Sequence, residues 1–471
     1  MPPTLALVVW FVLLIGLLYW DPAKELKSSI VLWVPLIWMF LLGSRLPAQW
    51  LAGTVSGPAA QALEEGNPLD RAVFSVLILL ALVILFSRAF NWGKFFANNF
   101  ALTALLLFAL LSVVWSDFPF IAFKRWFRDL GNYLVILVVV SDPRPLEAGR
   151  TMLRRLCYLL IPLSILIYKY YPQIGKQYDP WTGLAMFVGA TTSKNMLGVL
   201  CLISGVFFFW DTVTRWSQRK ERQTKRIILV NIAFLAMTLR LLTLSNSATS
   251  SVCLAVGCLV ILGIHSKWGT RHTSFIKFMI PASFCLFLIL TLGFNVNETL
   301  ARGVGRDPTL TGRTNIWKAV LSTNTNPVVG TGYQSFWLGP RLTHVWKLAG
   351  GVTEAHDGYL EVYINLGLIG LVLLLIFLAA SYRSMCKRLS PSFGFATLGL
   401  ALWTVVLFYN ITESAAFNGQ FLWVIFLLVE IIVCSHTPIA RVAMPIEKFV
   451  PKFRETRFEP RGRVPVASRI G

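Results

Sequence analysis

A succession of apolar runs, most of them about 15 to 20 residues long, does most to limit what this chain can fold into. Runs of that length match the roughly 20 residues an α-helix needs to cross the hydrocarbon core of a bilayer. There every backbone N–H and C=O must be satisfied inside the protein, which leaves helices or closed barrels. A soluble core could not absorb so much apolar surface. Of 471 residues 56% are hydrophobic and 14% charged, against roughly 25% charged in an ordinary soluble domain. The runs predict spans near 4–20, 29–43, 72–90, 96–115, 129–141, 153–170, 196–213, 227–245, 248–264, 278–295, 364–382, 395–412 and 420–436. That is 13, or 12 because the 29–43 and 129–141 segments are short. The expected fold is all-α and polytopic, with an integral membrane domain over 1–436 and a basic cytoplasmic tail over 437–471. The first run lacks a cationic start and a small-residue cleavage site, so it is expected to stay as an anchor.

Orientation follows from where Lys and Arg collect. Arg215, Arg219, Lys220, Arg222, Lys225 and Arg226 share one linker with a single acid, Glu221. Lys267, Arg271 and Lys277 form a second cluster, and Arg383, Lys387 and Arg388 a third. With the basic tail they fall on one side, which is expected to be cytoplasmic. The polar loop from Asn297 to Asn365 then faces outward. Lys124, Arg125 and Arg128 run against this pattern. The net charge of +21 is spread over short inner loops and a tail that can lie against anionic lipid, and no nucleic-acid module is visible.

That outer loop holds most of the residues suited to chemistry. Thr311-Gly312-Arg313 is followed by Trp317, then by Asn326-Pro327 and Gly330-Thr331-Gly332. It closes on His356-Asp357-Gly358-Tyr359-Leu360, just before a membrane helix. A helix is predicted over Thr314–Ser322. A second one starting near Thr353 would put His356, Leu360, Tyr363, Gly367 and Gly370 on one face, the glycines packing against a neighbouring helix. Arg302, Arg306, Arg313 and Arg341 lie where the positive-inside rule offers no reason for them. Guanidinium forks suit a pyrophosphate, the bland alternative being surface pairs with Glu298, Asp307 and Glu354. Lys194, Arg240, Glu413 and Glu430 are ionisable groups in or beside apolar spans, with Arg240–Glu430 one possible ion pair. The seven cysteines form no C-x-x-C pair, the five histidines no H-E-x-x-H, and there is no Walker-type phosphate loop. No cofactor or metal is expected, so the driving force must come with the substrate.

The order of motifs resembles the O-antigen ligase and Wzy-type polysaccharide polymerase superfamily, and within it the exopolysaccharide-production polymerases. The resemblance rests on Gly312-Arg313 with Trp317, Asn326-Pro327 with Gly330 and Gly332, and His356-Asp357 with Gly367 and Gly370. Upstream, Trp115-Ser116 with Pro119, Ser193-Lys194-Asn195 and Leu244-Ser245-Asn246-Ser247 look like further family segments. Three positions depart from the family pattern. Asp357 replaces a neutral residue, Ser193 a histidine and Asn246 an arginine.

The resemblance implies glycan transfer from an undecaprenyl-pyrophosphate-linked oligosaccharide at the periplasmic face of a bacterial inner membrane. The acceptor would be another repeat unit in a polymerase or lipid A–core in a ligase. A chain-length regulator and a flippase would be partners. Arg313, with Arg302, Arg306, Lys194, Arg240 or Arg341, would hold the pyrophosphate. His356 would orient or deprotonate the acceptor hydroxyl, with Asp357 or Glu354 fixing its tautomer. Trp317, Tyr333, Trp337 and Tyr359 would stack on sugar rings, and direct attack would invert the anomeric centre. A transporter of lipid-linked glycans is the competing class, but neither an internal repeat nor midplane polar residues favour it.

Overall fold

The computed structural model describes residues 1–19, 30–51, 66–178, 183, 185–294, 313–389, 394–414, 419–435 and 471. Arg302, Arg306, Glu298 and Asp307 lie outside them, as does nearly all of the tail. The described residues form a helical bundle: α1 (Pro3–Tyr19), α2 (Trp33–Gly43), α3 (Pro68–Ser87), α4 (Trp92–Asn98), α5 (Phe100–Leu111), α6 (Pro119–Val140), α7 (Pro145–Tyr170) and α8 (Lys194–Arg215). Then come α9 (Arg222–Ser245), α10 (Ala248–His265), α11 (Thr273–Phe294), α12 (Arg313–Leu321), α13 (Gly339–Ala349), α14 (Gly358–Arg388), α15 (Gly394–Tyr409) and α16 (Phe421–Ser435). A small antiparallel hairpin pairs Lys176–Tyr178 with Ala185–Phe187 before α8.

Among the described residues six helices, α3, α7, α8, α9, α10 and α14, are long and apolar enough to cross a membrane. The segment expected at 96–115 is not one straight span: α4 meets α5 and its terminal turn at 97°. α1, α2, α11, α15 and α16 are shorter apolar helices. The protein is an all-α, multi-pass membrane protein. Its innermost element is α16, whose residues Phe421 to Cys434 are all buried. A helix that is apolar all round has no face to give to water and takes the centre of a bundle. α8 packs on α9 and α10, and α15 on α10, α14 and α16.

The start of α8, the end of α15, the start of α14 and the start of α12 come together at one end of this bundle. α12 and α13 form a cap there with its own apolar core, in which Ile316, Val320, Phe336, Leu342 and Val345 are buried. Arg125 donates to the carbonyl of Gln334 in the cap, and Asp129 accepts from Tyr333 Oη at 2.8 Å and from Gln334 Nε2 at 2.5 Å. Arg125 on α6 thus faces the cap, which gives this charge a local reason that loop counting cannot supply.

α14 departs from the expected geometry in two ways. It begins at Gly358 rather than near Thr353, because the Asp357 carboxylate caps it, accepting from the backbone N–H of Tyr359 and Leu360 at 2.9 Å each. It is also broken at Gly367, whose φ is +64°. The break frees carbonyls that accept Thr331 N–H (from Ile364, 3.1 Å) and Gly332 N–H (from Asn365, 2.9 Å), while Leu368 N–H donates to Pro327 C=O at 2.9 Å. So Gly367 admits the Asn326–Gly332 loop instead of a neighbouring helix. A Cβ on Gly367 would lie 2.2 Å from Val328 O. Gly367→Ala is therefore expected to cost at least about 2 kcal/mol, seen as a lower unfolding temperature in detergent. Gly16→Ala, where a Cβ meets nothing within 4 Å, is the control and should not fall.

Candidate active site

Ser193 caps α8 by accepting from Met196 N–H at 3.2 Å, which fixes Asn195 in the first turn. Asn195 Nδ2 donates to both carboxylate oxygens of Glu413, at 3.2 and 3.3 Å. Glu413, 6% exposed, sits just after α15. Arg313, the first residue of α12, reaches the same carboxylate with Nη2 at 2.6 Å. His356 Nδ1 lies 3.3 Å from Glu413 Oε2 and 3.0 Å from Glu354 Oε1. One buried carboxylate thus ties together three segments from distant parts of the chain. They edge a cavity of about 250 Å³ lined by Ser193, Asn195, Glu354, His356, Tyr409, Glu413 and Gln420.

His356 is held in a left-handed backbone conformation, φ +52°, which a non-glycine residue adopts only when its surroundings enforce it. They do so from both sides. Asp357 is fixed as the helix cap, and Ala355 is clamped: its carbonyl accepts from Trp317 Nε1 at 2.9 Å, and its N–H donates to Glu361 Oε1 at 2.6 Å. Glu361, 1% exposed, also accepts from Trp337 Nε1 at 2.9 Å.

Burial alone would pull the His356 imidazolium down from 6.5, but hydrogen bonds and charge from Glu354 and Glu413 outweigh it and raise the group to about 10. His356 is thus an imidazolium at neutral pH, with both carboxylates at Nδ1. Its folded value lies above the unfolded one. The pairing therefore stabilises the fold fully below about pH 6.5 and is lost as pH rises through about 10. Asp357 is raised above the ordinary carboxylate range by burial, against which its two backbone N–H bonds work.

The other expected site residues are more scattered. Asp357 does not touch the imidazole, and the partner near it is Glu354. Trp317, Trp337, Tyr333 and Tyr359 commit their polar atoms to the protein; Tyr359 Oη, for example, donates to Leu407 C=O at 3.1 Å. Arg341 pairs with Asp117 at 2.6 Å, not with Glu354. Its pairing joins two motifs, since Trp115 Nε1 also donates to Val329 C=O at 3.1 Å and Ser116 Oγ meets Ser335 Oγ at 2.6 Å. Lys194 opens α8 beside the cavity, whereas Arg240 is exposed on α9 and forms no ion pair with Glu430 among the described residues. Glu430 instead accepts from Cys434 Sγ at 3.0 Å. The three departures from the motif pattern share one physical setting. Ser193 and Asp357 are N-caps, and Asn246, φ +48°, ends α9 in the left-handed region. Ser, Asp and Asn are the residue types those positions favour.

Glu413 and Asn195 are the participants that spacing did not single out. Glu354, His356 and Glu413 also place one donor atom each within 4.8 Å of one another, a set able to gather a divalent cation. Arg313 and the imidazolium already supply two positive charges to those two carboxylates.

Residues 232–375 match the family described as O-Antigen ligase. That stretch contains Arg313, Glu354 and His356 but neither Asn195 nor Glu413. The exopolysaccharide production protein ExoQ of Rhizobium meliloti (strain 1021) is 28% identical over 305 residues, covering 62% of this chain and 67% of that protein. With the helical membrane fold, these matches support a lipid-linked glycan polymerase or ligase role. Over residues 232–375 the chain is thus similar to the O-antigen ligase family, and over 62% of its length it is similar to an exopolysaccharide production protein.

Proposed function

We propose that the chain polymerises exopolysaccharide or O-antigen repeat units, taking the growing glycan from undecaprenyl pyrophosphate at the periplasmic face of a bacterial inner membrane. The observation that carries this reading is that Glu354, His356 and Glu413 line one cavity and that Arg313 is bonded to Glu413 at its edge. The donor is already activated, so the reaction needs neither nucleotide nor metal. Arg313 and the His356 imidazolium hold the pyrophosphate and balance the charge that builds as it leaves. An acceptor sugar hydroxyl attacks the anomeric carbon, the bond to the pyrophosphate oxygen breaks, and the configuration inverts. The hydroxyl proton passes to Glu354, the more accessible of the two carboxylates at 37% side-chain exposure. His356, already protonated, donates instead of abstracting. Glu413 positions both cations. Lys194, beside the cavity, and the loop arginines Arg302 and Arg306 would supply further phosphate contacts, and a flippase and a chain-length regulator supply and limit the substrate. Membrane lipids surround the bundle, and the outward placement of 297–365 follows from the charge of the opposite loops.

A ligase reading, with lipid A–core as acceptor, is favoured by the description of the matched family. The carrier-linked glycan in cells bearing His356→Ala separates the two. A single repeat unit accumulating on the carrier, with polymer lost, is expected. Long carrier-linked polymer with none on lipid A makes the protein a ligase, and unchanged carrier and products remove His356 from the mechanism.

A further inference from the structure

A second charged cluster sits at the far end of α8, away from the candidate site. α8 has 22 residues, so at 1.5 Å per residue it is about 33 Å long, close to the thickness of a hydrocarbon core. At that far end Asp211 is fully buried. Arg154 Nη2 and Arg215 Nε lie 3.1 Å from its carboxylate and Arg150 Nε 3.4 Å. Asn231 Nδ2 donates to it from α9 at 2.9 Å. Three guanidiniums therefore share one carboxylate. Glu147, the other acid near Arg150, is half exposed and pairs with Arg144 at 3.3 Å.

The cluster is also built to stay in place. Arg150 lies over the Trp210 ring at 4.7 Å, and Trp210 Nε1 is itself fixed to Gly394 C=O at 2.7 Å. A carboxylate offers about four lone-pair sites, whereas each guanidinium carries five N–H donors. The bonds above use up Asp211 and leave donors on Arg150 and Arg215, whose side chains are 29% and 18% exposed. Arg154 stands behind them, 2% exposed.

We infer that Arg150 and Arg215, backed by Arg154, bind the phosphate of an anionic lipid headgroup at the membrane face opposite the glycan site. A planar guanidinium takes a phosphate by two parallel hydrogen bonds, and basic pockets between membrane helices hold lipid headgroups in this way. Asp211 keeps the guanidiniums gathered, and the lipid phosphate meets the donors left on Arg150 and Arg215.

The test uses the purified full-length chain in neutral detergent. Its unfolding temperature is followed with short-chain phosphatidylglycerol, with the matching phosphatidylcholine and with inorganic phosphate. Phosphatidylglycerol should raise it by on the order of 2–4 °C more than phosphatidylcholine, and Arg150→Gln/Arg215→Gln should remove the difference. Equal effects of the two lipids overturn the site, and so does a double variant that responds like wild type. A full response to inorganic phosphate alone overturns the headgroup assignment. If the double variant does not fold, Arg150→Lys and Arg215→Lys, which keep charge but lose the fork, should each shrink the difference. No arm uses glycan transfer, so the outcome is independent of that assignment.

Discussion

Glu413→Gln is expected to lower the turnover of glycan transfer by about 10²–10³-fold while the protein still folds. The variant keeps the shape of the side chain and removes the charge on which Arg313, Asn195 and His356 converge. It should also bring His356 down from about 10 towards its ordinary range, since one of the two carboxylates raising it is gone. The two effects are measured together, as single-turnover rate against pH with a defined lipid-linked donor. A rate within a few-fold of wild type, with an unchanged profile, would refute the positioning role.

Arg313→Lys should cost about as much, about 10²–10³-fold in kcat. Lysine keeps the positive charge but not the planar fork that both grips Glu413 and can take a pyrophosphate oxygen. Arg341→Lys serves as comparison, because Arg341 is engaged with Asp117 outside the cavity. The loss should be confined to Arg313. Equal losses at both positions would mean that general charge in the cap matters, not a placed guanidinium.

The fold class was legible because a bilayer imposes one length and one polarity on every span. The short helix at α12 was legible for a similar reason, lying between a polar start and Asn326-Pro327. What could not be read was backbone conformation and approach in space. Gly367 and Gly370 fit the helical spacing, yet Gly367 is where the helix breaks, and no spacing records a positive φ. His356 was found by its motif, but its charge state was not, because that depends on Glu413, 57 residues further on. Glu413 looked like one isolated acid beside a span. Ser193, Asp357 and Asn246 read as departures from the motifs, whereas capping preference alone would have marked them as helix ends.

In the proposed mechanism the working site contains a charged imidazolium, and a carboxylate receives the acceptor proton. The pH dependence of single-turnover transfer by the wild-type protein, from about pH 5.5 to about pH 9, tests this most directly. The expected rate shows no rise across pH 6.5 and falls only as His356 begins to lose its proton towards 10. A rise centred near pH 6.5 would contradict it, because the neutral imidazole would then be the base.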